Sequence, residues 1–191
     1  MILFLFVVIG IIAGFVKNRV QGLHFSFSEI SNLRGLWLPI AGVLLDGSFS
    51  FAPRFALRYA AIITCTEYLC IFAFLYLNRR YRLSCALMAA GSLSNFLVIA
   101  ANGFRMPVSA AALAMFPGMT AQAVYARRAN YFIVQGRANL YFLADIIPVP
   151  VRGFGAFISV GDLVLGVGIM LLLIAVISPK PEPAGTPARQ Q

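Results

Sequence analysis

Two aspartates in the last third of the chain are the residues best suited to catalysis. Asp145 lies in the apolar segment LADII, and Asp162 lies near the start of the last long apolar run. Two carboxyl groups held close together at low dielectric split their pKa values, so that one acts as a base and the other as an acid around one water molecule. If Asp145 and Asp162 face each other, the pair therefore has the chemistry to hydrolyse an amide bond.

The same aspartates also have a structural interpretation, because other polar residues are predicted to lie on the same face of the membrane. These residues are Asp46, Asn102, Arg105 and Arg152. An ionised carboxylate inside a membrane span, as at Asp162, costs about 3 kcal/mol unless it finds a partner. An ion pair of Arg105 or Arg152 with either catalytic candidate would offset that cost. The whole cluster would equally serve as a binding site.

Glu67 lies near the middle of a long apolar run. A carboxyl group at that depth is a functional-site hypothesis, such as a proton relay or an ion ligand, because charge is costly inside a bilayer. The alternative is an uncharged glutamic acid that is hydrogen-bonded to Asn95 or to a serine of the neighbouring helix. Both interpretations of Glu67 stay open.

Metal, cofactor and nucleic-acid chemistry are not expected. The chain has three cysteines and one histidine, His24, with no C-x-x-C pair, so neither a zinc site nor a thiol redox centre is predicted. The net charge is +9, but the 15 basic residues lie mostly between apolar runs, where anionic lipid headgroups attract them. No aromatic stacking motif accompanies the arginines, so we predict membrane lipids, and no nucleic acid, as partners.

The bulk composition predicts helices in a lipid bilayer. Hydrophobic residues make up 61% of the chain and charged residues 11%, and the mean hydropathy is +0.88, far outside the range of soluble proteins. The apolar residues fall in runs rather than at amphipathic spacing. We predict an all-α membrane protein, a single domain over residues 1–178, with about five transmembrane helices. The predicted spans are residues 1–16, 35–50, 56–77, 83–101 and 158–177.

Residues 102–157 form a connection that is too long for an idle linker, so we expect it to have structure of its own. Ser109 is predicted to begin a short capped helix, and two aromatic-rich extended stretches flank Gly136. We expect this connection to lie on the membrane surface. The tail, residues 179–191, is predicted from its composition to be disordered.

Basic residues near the ends of the spans set the predicted orientation, because they favour the cytoplasmic side of a membrane. One arrangement places eight of the 15 basic residues in the cytoplasm, including the cluster Arg79, Arg80 and Arg82. The other basic residues then lie outside, mostly in the long connection, where charge counts for less. We therefore predict that the N-terminus is outside and the C-terminus is in the cytoplasm, which makes the connection extracytoplasmic.

Several segments resemble a family of bacterial integral membrane proteins of unknown function. They are NGFRMPV from Asn102, LADIIP from Leu143, ISVGD from Ile158 and NLRGLW from Asn32. The resemblance spans nearly the whole chain. It implies a bacterial plasma-membrane location and brings no activity with it.

A weaker pattern, in the last quarter of the chain, resembles lipoprotein signal peptidases. In that family, an aspartate within an apolar segment and a second aspartate at the head of the last outward-to-inward helix form the catalytic dyad. The segments from Leu143 to Ile147 and from Phe157 to Asp162 look similar. This resemblance implies an intramembrane aspartyl peptidase in which Asp145 and Asp162 are the catalytic residues.

Three functions follow as expectations. The first is binding of a lipid, a membrane-anchored peptide or a partner protein at the extracytoplasmic aspartate and arginine cluster, without catalysis. The second is peptide hydrolysis by Asp145 and Asp162, which requires their carboxyl groups to come within hydrogen-bonding reach, directly or through one water. The third is transport of a proton or small ion through Glu67, which requires a wet path from that residue to both faces.

Overall fold

The computed structural model describes residues 2–22, 30, 32–151 and 154–178. His24, Arg152 and the predicted disordered tail at residues 179–191 lie outside the described residues. The helices in the described part are α1 (Ile2–Gln21), α2 (Trp37–Phe51), α3 (Pro53–Arg58), α4 (Ala60–Leu77), α5 (Arg82–Ala101), α6 (Ala110–Ala114), α7 (Ala121–Arg127) and α8 (Val160–Ile177). The strands are β1 (Met106–Ser109), β2 (Tyr131–Val134), β3 (Ile147–Val151) and β4 (Phe154–Ile158), and a 3₁₀ helix covers Tyr141–Leu143.

Four of the helices, α1, α4, α5 and α8, are long and apolar enough to cross a membrane, and α2 is a shorter apolar helix. At about 1.5 Å per residue, a helix of the length of α1 or α5 covers about 30 Å, the thickness of a hydrocarbon core. Large apolar side chains such as Phe4, Ile62 and Leu83 are exposed on the outer surface of these helices, where lipid and not water is the favourable solvent. The predicted all-α membrane protein is therefore confirmed.

Small residues determine how the long helices pack. Gly10 and Gly14 of α1 lie against Met170 and Ile177 of α8, so these two helices run parallel. α5 packs antiparallel against α8, where the backbone of Gly91 meets the backbone of the partner helix, and α2 packs antiparallel against α4. The long helices therefore alternate in direction along the chain. The first residues of α1 and the segment between α5 and α8 lie at the same end of the bundle, which we call the connection end.

An apolar cluster closes the opposite end of the bundle. Its buried members are Leu38, Phe74, Leu75, Cys85, Met88, Leu172 and Val176. Asn78, in the turn between α4 and α5, supports this end, because its side chain accepts from the N–H of Arg34 and donates to the carbonyl of the same residue. The side chains of Lys17 and Asn18 donate to carbonyls at the end of α8.

Two predicted helix boundaries differ from the observed ones. The first apolar run was expected to end at residue 16, but α1 continues to Gln21, because the polar residues after the run find partners on α8. The run expected over residues 56–77 is divided into α3 and α4. Ala52 and Tyr59 leave the helical conformation on either side of α3, with φ values of −134° and −112°. A short interfacial helix therefore precedes the span.

The connection folds into two small sheets and short helices. β1 and β2 pair in parallel, and β3 and β4 form an antiparallel hairpin. An isolated bridge joins Val108 of β1 to Asp145. The hydroxyl of Ser50 donates to the carbonyl of Arg127, so the connection is fastened to the end of α2.

The local predictions for the connection are confirmed at two places and wrong at a third. The helix expected at Ser109 is α6, and the Ser109 hydroxyl accepts from the N–H of Ala112 as a cap. The extended stretch expected before Gly136 is β2. The stretch expected after Gly136 is not extended throughout, because Leu140 adopts a left-handed conformation with φ 52° and a 3₁₀ helix follows before β3 begins.

Candidate functional site

A cavity of about 350 Å³ extends from the connection end of the helical bundle to the apolar cluster at the opposite end. It separates α1 and α8 on one side from α2 and α4 on the other, and α5 and the connection complete its wall. All four acidic residues in the described part of the chain line it, together with one basic residue, Arg128. The four acidic residues are Asp46, Glu67, Asp145 and Asp162.

Asp46 and Arg128 form an ion pair in the cavity wall. Asp46 lies towards the end of α2, and Arg128 directly follows α7. Burial lowers the pKa of Arg128, but Tyr131, Asp46 and Glu67 raise that pKa by more, so the guanidinium keeps its charge. The side chains of Arg128 and Asp46 are 36% and 27% exposed. The pair therefore still presents polar atoms to the cavity.

Asp162 lies in the first turn of α8, where neighbouring groups hold its carboxylate. Its Oδ2 accepts from the N–H of Ser159, and the Ser159 hydroxyl accepts from the N–H of Asp162, which together make a capping box. Asn95 of α5 donates to Asp162 Oδ1 at 2.8 Å and accepts from the Ser159 hydroxyl at 2.8 Å. Because the N-terminus of a helix favours negative charge, these contacts offset the cost of a carboxylate within the span.

Asp145 is only 1% exposed, although it lies in the loop before β3. Its backbone N–H and carbonyl both pair with the edge of β1, so the position of its side chain is fixed. Burial, followed by the charge of Asp162, raises the pKa of the Asp145 carboxyl well above its usual value. Hydrogen bonding from Tyr131 and the charge of Arg128 oppose only part of this rise. Asp145 therefore keeps its proton at pH values at which an exposed aspartate is ionised.

Four buried polar atoms around the cavity have no hydrogen-bond partner among the described residues. They are Ser92 Oγ, Arg128 Nε, Asn130 Oδ1 and Asp145 Oδ1. Ser92 is 1% exposed and Asn130 is 5% exposed. An unpaired buried polar group costs about 1–3 kcal/mol. Several such groups around one cavity indicate a site that polar groups from outside the protein complete.

The floor of the cavity is apolar. It consists of Ile71, Phe74, Met88, Leu165 and Ile169, which belong to the apolar cluster at the opposite end of the bundle or pack against it. Neither α1 nor α8 packs closely against α2, and Val43 of α2 both lines the cavity and is exposed on the surface of the bundle. The cavity thus has a polar roof at the connection end, which includes Asp145, Asp162, Arg128, Asn130 and Tyr131, and an apolar floor within the bundle.

A second cavity, of about 380 Å³, lies between α7 and β4 in the connection. Its wall includes Arg128, Tyr131, Ala156 and Phe157, which also line the first cavity. The two cavities are therefore neighbours. Arg128 stands at their shared boundary.

The structure brings some of the predicted site residues together and leaves others apart. Asp46, Glu67, Asp145 and Asp162 share the first cavity, whereas Asn102 and Arg105 lie outside it. The side chain of Asn102 donates to the carbonyls of Val98 and Asn139, so it fastens the end of α5 to the connection. Arg152 lies outside the described residues.

The predicted ion pair of Arg105 with Asp145 or Asp162 is wrong. Arg105 is exposed, donates to the carbonyl of Tyr131 and lies over the ring of Phe132. The hydrogen bond considered for Glu67 with Asn95 is also not the one observed, because Asn95 directs its side chain to the head of α8. Asp162 is held by Ser159 in its own helix turn and by Asn95 on α5, instead of by the predicted arginine.

Sequence reasoning missed Arg128, Asn130 and Tyr131, which form the part of the roof contributed by the connection. One signal could have indicated an arginine here, because Asp46 near the end of an apolar helix needs a positive charge at the same end. The connection carries several arginines, and nothing in their spacing distinguishes Arg128 from the others. Which arginine pairs with Asp46 depends on the path of the chain between α7 and β2.

Comparisons with known proteins point to one family. No curated protein and no solved structure shows a significant match to the chain. Residues 30–174 match DUF5317, a family of unknown function. This stretch contains every acidic residue that lines the cavity as well as Arg128, and the expected likeness to a family of unknown function is confirmed. Because the match covers well over half of its length, the chain belongs to the DUF5317 family.

Proposed function

We propose that this membrane protein binds an amphiphile from the bilayer in the first cavity and does not chemically change it. The headgroup lies in the polar roof near Asp145 and Asp162, and the hydrocarbon chain lies along the apolar floor near Phe74 and Ile169. One observation carries the proposal: a single cavity combines buried polar atoms that lack partners with an apolar floor. Buried polar atoms are usually paired with protein groups or with ordered water, so the unpaired atoms around this cavity are positions at which a headgroup can form hydrogen bonds.

Access from the lipid supports this choice over a soluble ligand. The gap between the α1 and α8 pair and α2 lies at the depth of the apolar floor, where Val43 and Leu165 both line the cavity. A hydrocarbon chain can pass between helices there without leaving an apolar environment. The volume of the cavity, about 350 Å³, lies at the lower end of the range of about 300–1,000 Å³ for small-molecule sites, which suits a headgroup and the first part of a chain.

We further infer that the protein lies in the bacterial plasma membrane with the connection end outside. The basic turn from Arg79 to Arg82 lies at the opposite end of the bundle, as the excess of arginine and lysine in cytoplasmic loops requires. Arg137→Cys should react with a membrane-impermeant maleimide added to intact spheroplasts, and Arg79→Cys should react only after lysis. Both variants are made with Cys65, Cys70 and Cys85 replaced by alanine. The reverse labelling pattern would contradict this orientation.

Photocrosslinking in nanodiscs tests the binding proposal. Three C16 probes carry a diazirine in the chain and a primary amine, a phosphate or a hydroxyl as the headgroup. At least one probe should label Ile71, Phe74 or Ile169 in the floor, as mapped by mass spectrometry. Gly42→Leu should reduce this labelling at least tenfold, because Gly42 lines the cavity and a Cβ there meets Glu67 only at ordinary contact distance, 3.7 Å.

Gly136→Leu is the matched control, because no atom lies within 4 Å of a Cβ placed at Gly136, and it should leave the labelling unchanged. Ile40 and Leu44 on the exposed surface of α2 report contact with bulk lipid. Labelling confined to such outer residues with all three probes would contradict the proposal. Equal labelling of the floor in Gly42→Leu and the wild type would contradict it as well.

A second candidate function is intramembrane peptide hydrolysis. Asp145 and Asp162 line the same cavity, and burial raises the pKa of the Asp145 carboxyl well above its usual value. In this mechanism the Asp162 carboxylate takes a proton from a water molecule that attacks the amide carbonyl, while Asp145 donates its proton to the carbonyl oxygen. Collapse of the tetrahedral intermediate breaks the C–N bond, the amine leaves with a proton from Asp162, and a hydroxyl of the intermediate returns a proton to Asp145.

The same purified protein and its Asp145→Asn and Asp162→Asn variants discriminate the two candidates. Under the hydrolysis mechanism, the wild type cleaves a peptide that spans the nanodisc, and each variant loses at least 100-fold of that rate. Equal rates in the wild type and either variant would exclude the dyad. Under the binding proposal, no cleavage accompanies labelling of the cavity floor.

A further inference from the structure

We propose that the amphiphile carries a primary amine in its headgroup, bound as an ammonium in the cavity that Asp145, Asp162 and Glu67 line. This inference rests on the binding function proposed above and assigns the chemical class of its ligand. It follows from the charges around the cavity and from the types of polar atom that lack partners there.

The balance of charge favours a cation. Four carboxyl groups line the cavity, against the single guanidinium of Arg128. That guanidinium is already paired with Asp46. The remaining acidic residues, Glu67, Asp145 and Asp162, have no basic residue of their own among the residues that line the cavity. An ammonium in the cavity supplies a counter-ion for the Asp162 carboxylate, and for the carboxyl groups of Asp145 and Glu67 when these ionise.

The unpaired atoms favour a hydrogen-bond donor. Asp145 Oδ1 and Asn130 Oδ1 are acceptors and Ser92 Oγ can also accept, against a single unpaired donor, Arg128 Nε. The three oxygen-bearing side chains are at least nine-tenths buried, with exposures of 1% for Asp145, 5% for Asn130 and 1% for Ser92. An ammonium has three N–H donors and no acceptor, which matches these oxygens.

A bound ammonium also changes the electrostatics of Asp145. Burial and the charge of Asp162 raise the pKa of the Asp145 carboxyl, and the other charged or titratable groups that face it are Arg128 and Tyr131. A cation within about 4 Å stabilises the ionised form of a carboxyl group. Binding therefore converts a neutral carboxyl into the partner of the ligand and releases a proton.

An anionic headgroup fits less well. A phosphate in the roof would lie near the Asp162 carboxylate, and like charges in a partly buried site repel by several kcal/mol. The guanidinium that it would require, Arg128, already pairs with Asp46, which leaves only its Nε as an unpaired donor. A metal ion is not favoured either, because no three His, Cys, Asp or Glu side chains within the described residues are close enough to hold one.

The three C16 photoprobes separate this inference from the binding function itself. At equal concentration and pH 7.5, the amine probe should label the cavity floor at least tenfold more than the phosphate or hydroxyl probe. Asp145→Asn should reduce amine labelling about tenfold more than it reduces hydroxyl labelling, since the variant removes charge and keeps shape. Glu67→Gln provides a second variant with the same expectation if Asp145→Asn does not fold.

Arg137→Gln is the matched control, because Arg137 is an exposed residue of the connection outside the cavity, and it should label as the wild type does. Floor labelling that is as strong with the phosphate as with the amine would overturn the amine assignment while leaving amphiphile binding intact. Equal loss of amine and hydroxyl labelling in both carboxyl variants would also overturn it, because the effect would then not depend on charge. Failure of all three probes would overturn the binding function and this inference together.

Discussion

Gly91→Ala should lower the free energy of unfolding by about 3 kcal/mol or more and separate α5 from α8. A Cβ at position 91 would lie 2.5 Å from the carbonyl oxygen of Gly161 and 2.5 Å from the backbone nitrogen of Leu165. Both contacts are with backbone, so neither can be relieved by rotating a side chain. Close helix approach through small residues is a main source of packing energy in lipid. The methyl group therefore has to push the two helices apart.

The intrinsic helix propensity acts in the opposite direction, so the sign of the effect is informative. Alanine is better than glycine in a helix by about 1 kcal/mol, and overpacking a well-packed contact typically costs about 1–3 kcal/mol, with larger costs where nothing can move. We expect the steric cost of the added methyl group to exceed the gain in helix propensity at Gly91. The fluorescence of Trp37, the single tryptophan, followed during an SDS titration in mixed micelles, measures the free energy of unfolding.

Gly136→Ala is the control for this prediction, because a Cβ at that position meets no atom within 4 Å. It should change the free energy of unfolding by less than about 0.5 kcal/mol. An unchanged or higher stability of Gly91→Ala would mean that α5 and α8 are not in backbone contact. The antiparallel packing of α5 on α8, which places Asn95 beside the head of α8, would then be wrong.

The helices could be predicted from the sequence because each depends on a local property. A run of apolar residues is enough to specify a membrane helix, and the polar residues between runs specify its ends to within a few residues. The errors occurred where distant contacts decide the outcome. Asn18 continues α1 past the apolar run because its side chain donates to the carbonyl of Ile177, and no local pattern announces a partner that lies near the other end of the chain.

The candidate site was only partly predictable for the same reason. The apolar runs predict helices that alternate in direction along the chain. This alternation places Asp46, Asp145 and Asp162 at the same end of the bundle. The capping of Asp162 by Ser159 is also local, since serine followed by an acidic residue three positions later is a recognisable capping box. The ion pair of Asp46 with Arg128 is not local, because it depends on how the connection folds back over α2.

The cavity itself could not be predicted from the sequence. It exists because α1 packs on α8 while α2 packs on α4, and the two pairs do not close against each other at the connection end. Gly10 and Gly14 bring α1 close to α8, but the sequence does not state which helix they contact. In the sequence, Glu67 is a lone carboxyl group in an apolar run. In the structure, it is one of four acidic residues that line the cavity.

Asn95→Leu should lower the free energy of unfolding by about 3 kcal/mol, because it removes two buried hydrogen bonds and replaces none of them. Asn95 donates to the Asp162 carboxylate and accepts from the Ser159 hydroxyl. A hydrogen bond to a charged group is worth about 1.5–3 kcal/mol and one to a neutral group about 1 kcal/mol. Leucine has a similar shape, so the loss arises from the polar atoms and not from an empty space.

A double-mutant cycle identifies the source of that loss. In the Asn95→Leu background, Asp162→Asn should cost less than it does in the wild type, because the carboxylate has already lost its donor from α5. Ser94→Ala, which truncates the preceding residue outside the cavity, should change the free energy of unfolding by less than about 0.5 kcal/mol. Additive effects of the two substitutions would show that Asn95 and Asp162 do not interact. Asp162 would then hold its charge through the capping box alone, and the roof of the cavity would not need α5.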